Sequence, residues 1–188
     1  MSSTILLVRH AQSAFLGRFC GSSDPPLSDK GKEEAREVAA RLRTAQISRF
    51  YCSPLRRAVA TAEAIAGTSA PPLTLVDGLR EIDFGTWEGL TWTEIERRDP
   101  GYAKLWAERF PAVPAPGGEH FEAFRQRVEE AFFQIHSELA GCRRGAAVVV
   151  AHGGVLAVLL TGFLKLPFRS IPLPQTGSVF AVEFGHEG

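Results

Sequence analysis

The sequence predicts an α/β fold, a three-layer sandwich with a mainly parallel central sheet flanked by helices. Three observations carry this expectation. Short β-branched apolar runs alternate along the chain with longer segments of helical periodicity. Two of the runs, residues 4–8 and 147–151, are continuously apolar, the pattern of strands covered on both faces. Each is followed at once by a polar segment containing a histidine, His10 in one case and His152 in the other. In open α/β sheets, ligands bind at the carboxyl ends of strands.

Residues 4–8 read as a central strand. A loop rich in Gly, Pro and Ser covers 17–27, and Ser28 can then cap a helix to about Thr44, with Ala35, Val38, Ala39 and Leu42 on one stripe. Residues 50–52 look like the end of a second strand. Ser53 reads as an N-cap and Pro54 as the first residue of a helix through Ala66. A third strand is expected at 73–76, and Thr91 with Glu94 forms a capping box for a short helix. Residues 100–118 carry Trp106, Phe110, Pro100, Pro111, Pro114 and Pro116, a composition suited to a semi-rigid lid. Phe121, Phe124, Val128, Phe132, Ile135 and Leu139 recur at helical spacing. After the strand at 147–151 come a helix at 155–164 and a last strand at 179–184.

A chain of 188 residues with 45% hydrophobic content can bury one substantial core but not two. A single domain over 1–188 is therefore expected, with a substrate lid at about 85–118. Lys plus Arg and Asp plus Glu are 21 each, so there is no global attraction toward nucleic acid or an anionic membrane. Any anion site must be local. Cys20, Cys52 and Cys142 form neither a disulfide framework nor a CxxC motif, which fits a reducing cytoplasm. No secretion signal is visible at the N-terminus. The longest apolar stretch, 145–164, is broken by His152, Gly153 and Gly154, and reads as strand, turn and helix rather than membrane span.

Taken singly, each strand-end histidine is as well explained by a structural bond to neighbouring backbone; two equivalent positions favour a site. Arg9 precedes His10, and Arg56 and Arg57 follow the second strand, where spacing alone leaves the two as equal candidates. The turn His152-Gly153-Gly154 opens a helix whose free N–H groups favour an anion. Glu81 and Asp83 lie among Ile82, Phe84 and Trp87, where desolvation can raise a carboxyl pKa toward general-acid range. They are equally readable as loop-capping acids.

Four segments in order resemble the histidine phosphatase superfamily, also called phosphoglycerate-mutase-like. LLVRHAQS (6–13) is similar to the family's Arg-His-Gly-Glu/Gln-Thr/Ser motif, and SPLRRAVATA (53–62) to Ser-x-Leu-x-Arg-Ala-x-x-Thr-Ala, which selects Arg57 over Arg56. LREIDFGTWEG (79–89) is similar to the segment bearing the family's acid, at Glu81, and VVAHGGVL (149–156) to that of the second histidine, His152. Ala11 departs from the usual glycine, Cys20-Gly21 stands where Ser/Thr-Gly is common, and residues 14–17 offer no counterpart to the family's phosphate-contacting Asn.

The resemblance implies a phosphoglycerate-mutase-like fold and a phosphohistidine mechanism. His10 is then the nucleophile, Arg9, Arg57 and His152 stabilise the phosphoryl oxygens, and Glu81 is the proton donor. Gln12, Cys20, Gly21 and Gly153 are the implied substrate contacts, with no metal and no organic cofactor. The implied partner is a small-molecule phosphomonoester. GRFCGSSDPPLSDKG (17–31) and PGGEHFEAF (116–124) look most like α-ribazole phosphatases and small broad-specificity phosphatases, so α-ribazole 5′-phosphate is a candidate substrate. Trp87, Trp106 and Phe110 are expected to favour bulky or ring-bearing leaving groups. Three alternatives remain: a phosphoglycerate mutase using the same intermediate, a metallohydrolase built on His10, His152, Glu81 and Asp83, and a non-catalytic binding module.

Overall fold

The computed structural model describes residues 3–67, 71–139 and 145–185; Cys142 lies outside them. Within these residues one sheet forms from β1 (Ser3–Arg9), β2 (Ile47–Cys52), β3 (Leu73–Leu75), β4 (Ala146–Ala151) and β5 (Val179–Phe184). Their spatial order is β3-β2-β4-β1-β5, and every pairing is parallel except the antiparallel one between β1 and β5.

Side-chain alternation along the strands builds two cores. Ile5 and Leu7 of β1, with Ala147, Val149 and Ala151 of β4, face α5 (Phe121–Leu139) and α6 (Gly153–Leu164). Val8, Phe50, Cys52, Val148 and Val150 face the opposite way, onto Val38 of α1 (Asp29–Leu42) and Ala58 and Ala62 of α2 (Arg56–Ala66). The three-layer sandwich expected from the sequence is therefore present. No helix among the described residues is long and apolar enough to cross a membrane.

Three of the helices, α1, α3 (Trp92–Arg98) and α4 (Pro100–Arg109), start at side-chain caps, whereas α2 and α6 start without a side-chain cap bond. Ser28 caps α1, its hydroxyl accepting from Gly31 N. Thr91 and Glu94 form the expected reciprocal box at α3. Ser53 is not an N-cap: α2 begins at Arg56 with Leu55 in the cap position, and the Ser53 hydroxyl is bonded to His152 instead. The proline-rich segment contains a helix that its composition did not suggest, α4, with Asp99 as N-cap and proline in its first turn. Trp87, Ile95, Ala103 and Ala115 bury together beneath Phe19, Phe84, Trp92, Tyr102 and Trp106, giving α3 and α4 an aromatic core of their own.

Candidate active site

The strand ladder itself brings the site together. β4 lies between β2 and β1, and the pairing continues past the strand ends: His10 N donates to Ala151 O (2.9 Å) and Ser53 N to Val150 O (3.0 Å). The residues that follow the three strands must therefore meet at one edge. His10 and His152 stand edge to face with ring centroids 4.9 Å apart.

The ring nitrogens of His10 have distinct roles. Nδ1 lies 2.7 Å from Ala11 O, an acceptor only, so Nδ1 carries the proton. Nε2 consequently presents its lone pair, and Arg57 Nε donates to it at 3.3 Å. Burial first, and the Arg57 charge second, pull the imidazole down to a pKa of about 3. It is neutral at any physiological pH. The Ala11 amide donates to Thr61 Oγ1 (3.0 Å), which anchors the carbonyl-bearing residue to α2.

Arg57 is fully buried on the inner face of α2, whereas Arg56 is exposed. Carbonyl oxygens of residues 20–23 hold its guanidinium: Nη1 donates to Ser23 O (2.7 Å) and Nη2 to Gly21 O (2.9 Å) and Cys20 O (3.3 Å). Arg9 donates through Nη1 to Pro174 O, while its Nε is buried without a hydrogen-bond partner. Burial is the main cause lowering its pKa, and Glu81 opposes the shift.

His152 is also fully buried. Its Nε2 lies 2.7 Å from Ser53 Oγ, and its Nδ1 has no hydrogen-bond partner. Burial, then His10 and the arginines, hold its pKa well below the ordinary value. Glu81 accepts from Gly154 N (2.9 Å) at the start of α6 and from Ile82 N (3.0 Å). Desolvation nevertheless dominates and raises its pKa. A Cβ at residue 154 would push the Glu81 carboxylate out of this position, so the glycine lets the carboxylate lie against the start of α6.

Two cavities adjoin at Glu81. The polar one, about 340 Å³, is lined by Arg9, His10, Gln12, Cys20, Arg57, Glu81 and Gly153 among others. The second, about 400 Å³, is walled by Phe19, Phe84, Trp106, Phe110, Phe121, Phe124 and Phe168, with Arg169 and Glu81 its charged residues. Phe19, Glu81, Phe84 and Leu173 belong to both. Trp87 lines neither, being packed in the core beneath α3 and α4. His152 is absent from both linings, its ring standing edge to face against that of His10, which lines the polar cavity. Gly21 is likewise outside the lining, its N–H donating to Glu88 and its carbonyl accepting from Arg57. Gln12 turns its side-chain oxygen to Ser28 Oγ (3.0 Å), and burial raises the Cys20 thiol pKa. Among the described residues, no three or more His, Cys, Asp or Glu side chains converge as a metal site.

Ser53, Thr61 and Glu88 are part of this arrangement although the sequence did not single them out for it. Ser53 carried a competing capping signal, and Thr61 sat within the motif without a stated role. Glu88 lay within the 79–89 motif, but its role in holding residues 21–23 left no signal in the sequence.

The sequence profile of the histidine phosphatase superfamily, branch 1, matches residues 5–188. The chain belongs to this superfamily. Among similar proteins, the glucosyl-3-phosphoglycerate phosphatase of Mycolicibacterium vanbaalenii is 31% identical over 175 residues, 90% of this chain and 77% of that protein. The adenosylcobalamin/α-ribazole phosphatase of Salmonella typhimurium is 30% identical over 167 residues, 88% of this chain and 81% of that one. The solved structure of Bacillus stearothermophilus YhfR superposes with a TM-score of 0.88 at 30% identity, covering 98% of this chain and 92% of its own.

Proposed function

We propose that the chain is a phosphomonoesterase working through a phosphohistidine on His10, with segment 85–118 as its substrate lid. One observation carries the reading: a neutral histidine whose Nδ1–H is held by Ala11 O, leaving Nε2 beside the Arg57 guanidinium and the cavity that Glu81 borders. In the first step Nε2 attacks phosphorus, the phosphorus–oxygen bond breaks, and protonated Glu81 gives its proton to the leaving alkoxide. Arg9, Arg57 and His152 stabilise the equatorial oxygens, with the unpartnered Arg9 Nε and His152 Nδ1 available to do so. If His152 Nδ1 carries the proton, Ser53 donates to its Nε2 and sets that tautomer. In the second step the Glu81 carboxylate takes a proton from water, oxygen attacks phosphorus, and the phosphorus–nitrogen bond breaks.

The aromatic cavity beyond Glu81 suits an alcohol portion with an apolar ring, and α-ribazole 5′-phosphate is the named candidate. Its relatives' names support hydrolysis over phosphoglycerate isomerisation. Free Cys20 and Cys52 suit a reducing cytoplasm. The test is His10→Ala, assayed for phosphate release from a phosphomonoester panel that includes 3-phosphoglycerate, and for labelled phosphate retained on the protein. Both signals should vanish; substantial turnover in the variant would overturn the mechanism.

A further inference from the structure

Glu88 lines neither cavity, yet its carboxylate accepts from four backbone N–H groups: Gly21 (3.0 Å), Ser22 (2.9 Å), Ser23 (3.1 Å) and Phe84 (3.0 Å). Three consecutive amides converging on one anion form a nest, here filled by the protein's own side chain. With the N–H groups of 21–23 turned toward Glu88, the carbonyls of Cys20, Gly21 and Ser23 are turned toward Arg57. Among the described residues no carboxylate lies within salt-bridge distance of Arg57. Its charge meets the negative ends of peptide dipoles. For Cys20 O and Gly21 O these are the negative ends of peptide units whose N–H groups, at Gly21 and Ser22, rest on Glu88, while Ser23 O belongs to the peptide unit that follows the nest.

The same short stretch is locked against the acid-bearing segment. A Cβ on Gly21 would strike Ile82 O, so only glycine permits this approach. Asp83 Oδ1 accepts from Ser22 Oγ (3.0 Å) and Gly85 N (2.7 Å), adding a second stitch.

We propose that Glu88 is a positioning residue for phosphoryl binding: it orders residues 20–23 so that their carbonyls hold the Arg57 guanidinium against His10. Glutamine has nearly the same shape but only one acceptor oxygen, and its NH2 group would face amide donors. E88Q therefore loosens the loop and, through it, Arg57.

The inference rests on Arg57 as a phosphoryl ligand, and a thermodynamic cycle separates the two claims. Orthovanadate affinity is measured for the full chain, E88Q, R57A and the double variant, with circular dichroism and thermal melts to verify folding. E88Q should weaken vanadate binding by about tenfold, and by less than about twofold when Arg57 is already alanine. Unchanged affinity in E88Q, or an equal loss in both backgrounds, overturns the positioning role. Unchanged affinity in R57A instead removes the functional reading beneath it. If E88Q does not fold, E88D takes its place in the same cycle: it keeps the charge but shortens the reach to the amides, and the same outcomes decide.

Discussion

At the scale of single residues, His10 and Glu81 are opposite products of the same burial. Desolvation disfavours the charged form of each, leaving an imidazole that resists protonation and a carboxyl that resists ionisation. In the proposed mechanism the pairing lets a nucleophile and an acid coexist at one pH. Glu81→Gln should slow single-turnover alcohol release far more for an alkyl phosphate than for p-nitrophenyl phosphate, because nitrophenolate departs without a proton. Equal slowing of both would remove Glu81 from the acid role. The histidine also affects stability. As pH falls below about 6.5 the unfolded chain binds a proton that folded His10 refuses until about 3, so stability is lost through that window, by up to about 1.4 kcal/mol per pH unit. Glu81 acts in the opposite sense, holding its proton in the fold and favouring the folded state at low pH. His10→Asn should therefore show a shallower loss of urea midpoint between pH 6 and pH 4 than the parent; parallel slopes would count against the buried neutral histidine.

Individual elements were legible where one physical cause acted alone. The apolar period of α5 and the bounds of β5 were readable because burial on one side decides both. Ser53 was misread because two partners compete for its hydroxyl, and the long-range one, His152, leaves no local trace. α4 was readable in principle: Asp99 followed by Pro100 is a cap and first-turn signal, masked by the prolines farther along. Arg57 could be told from Arg56 only through the family motif, since the direction a first-turn residue faces depends on how α2 packs. The Ser28 cap offers a direct check. Ser28→Ala removes the acceptor for Gly31 N and should cost about 1 kcal/mol, or roughly 3 °C in melting temperature for a domain of this size. An unchanged melt would mean that water replaces the cap without loss.

At the scale of the whole molecule, the order β3-β2-β4-β1-β5 makes the sequence-distant histidines neighbours, and strand pattern alone could not reveal which strands would be adjacent. The aromatic cavity was only partly foreseeable for the same reason. Trp106 and Phe110 line it as expected, Trp87 does not, and Phe121 and Phe124 from α5 are joined by Phe168 from beyond α6. Trp106→Ala with Phe110→Ala should reduce kcat/KM for aryl and nucleoside-like phosphates by about tenfold or more, while leaving that for a small alkyl phosphate within about threefold. A uniform loss across substrates would assign these rings to lid folding instead.

The shared wall between the cavities has an evolutionary corollary. In the proposed mechanism the phosphoryl-handling groups come from strand ends and the first turns of α2 and α6, whereas most of the aromatic rings of the second cavity come from residues 85–118 and from α5. Substitutions in the second set can redraw the range of alcohols accepted without disturbing the first. A lineage built on this plan can change its metabolic niche by drift in a few phenylalanines and tryptophans, with the bond-breaking apparatus inherited intact.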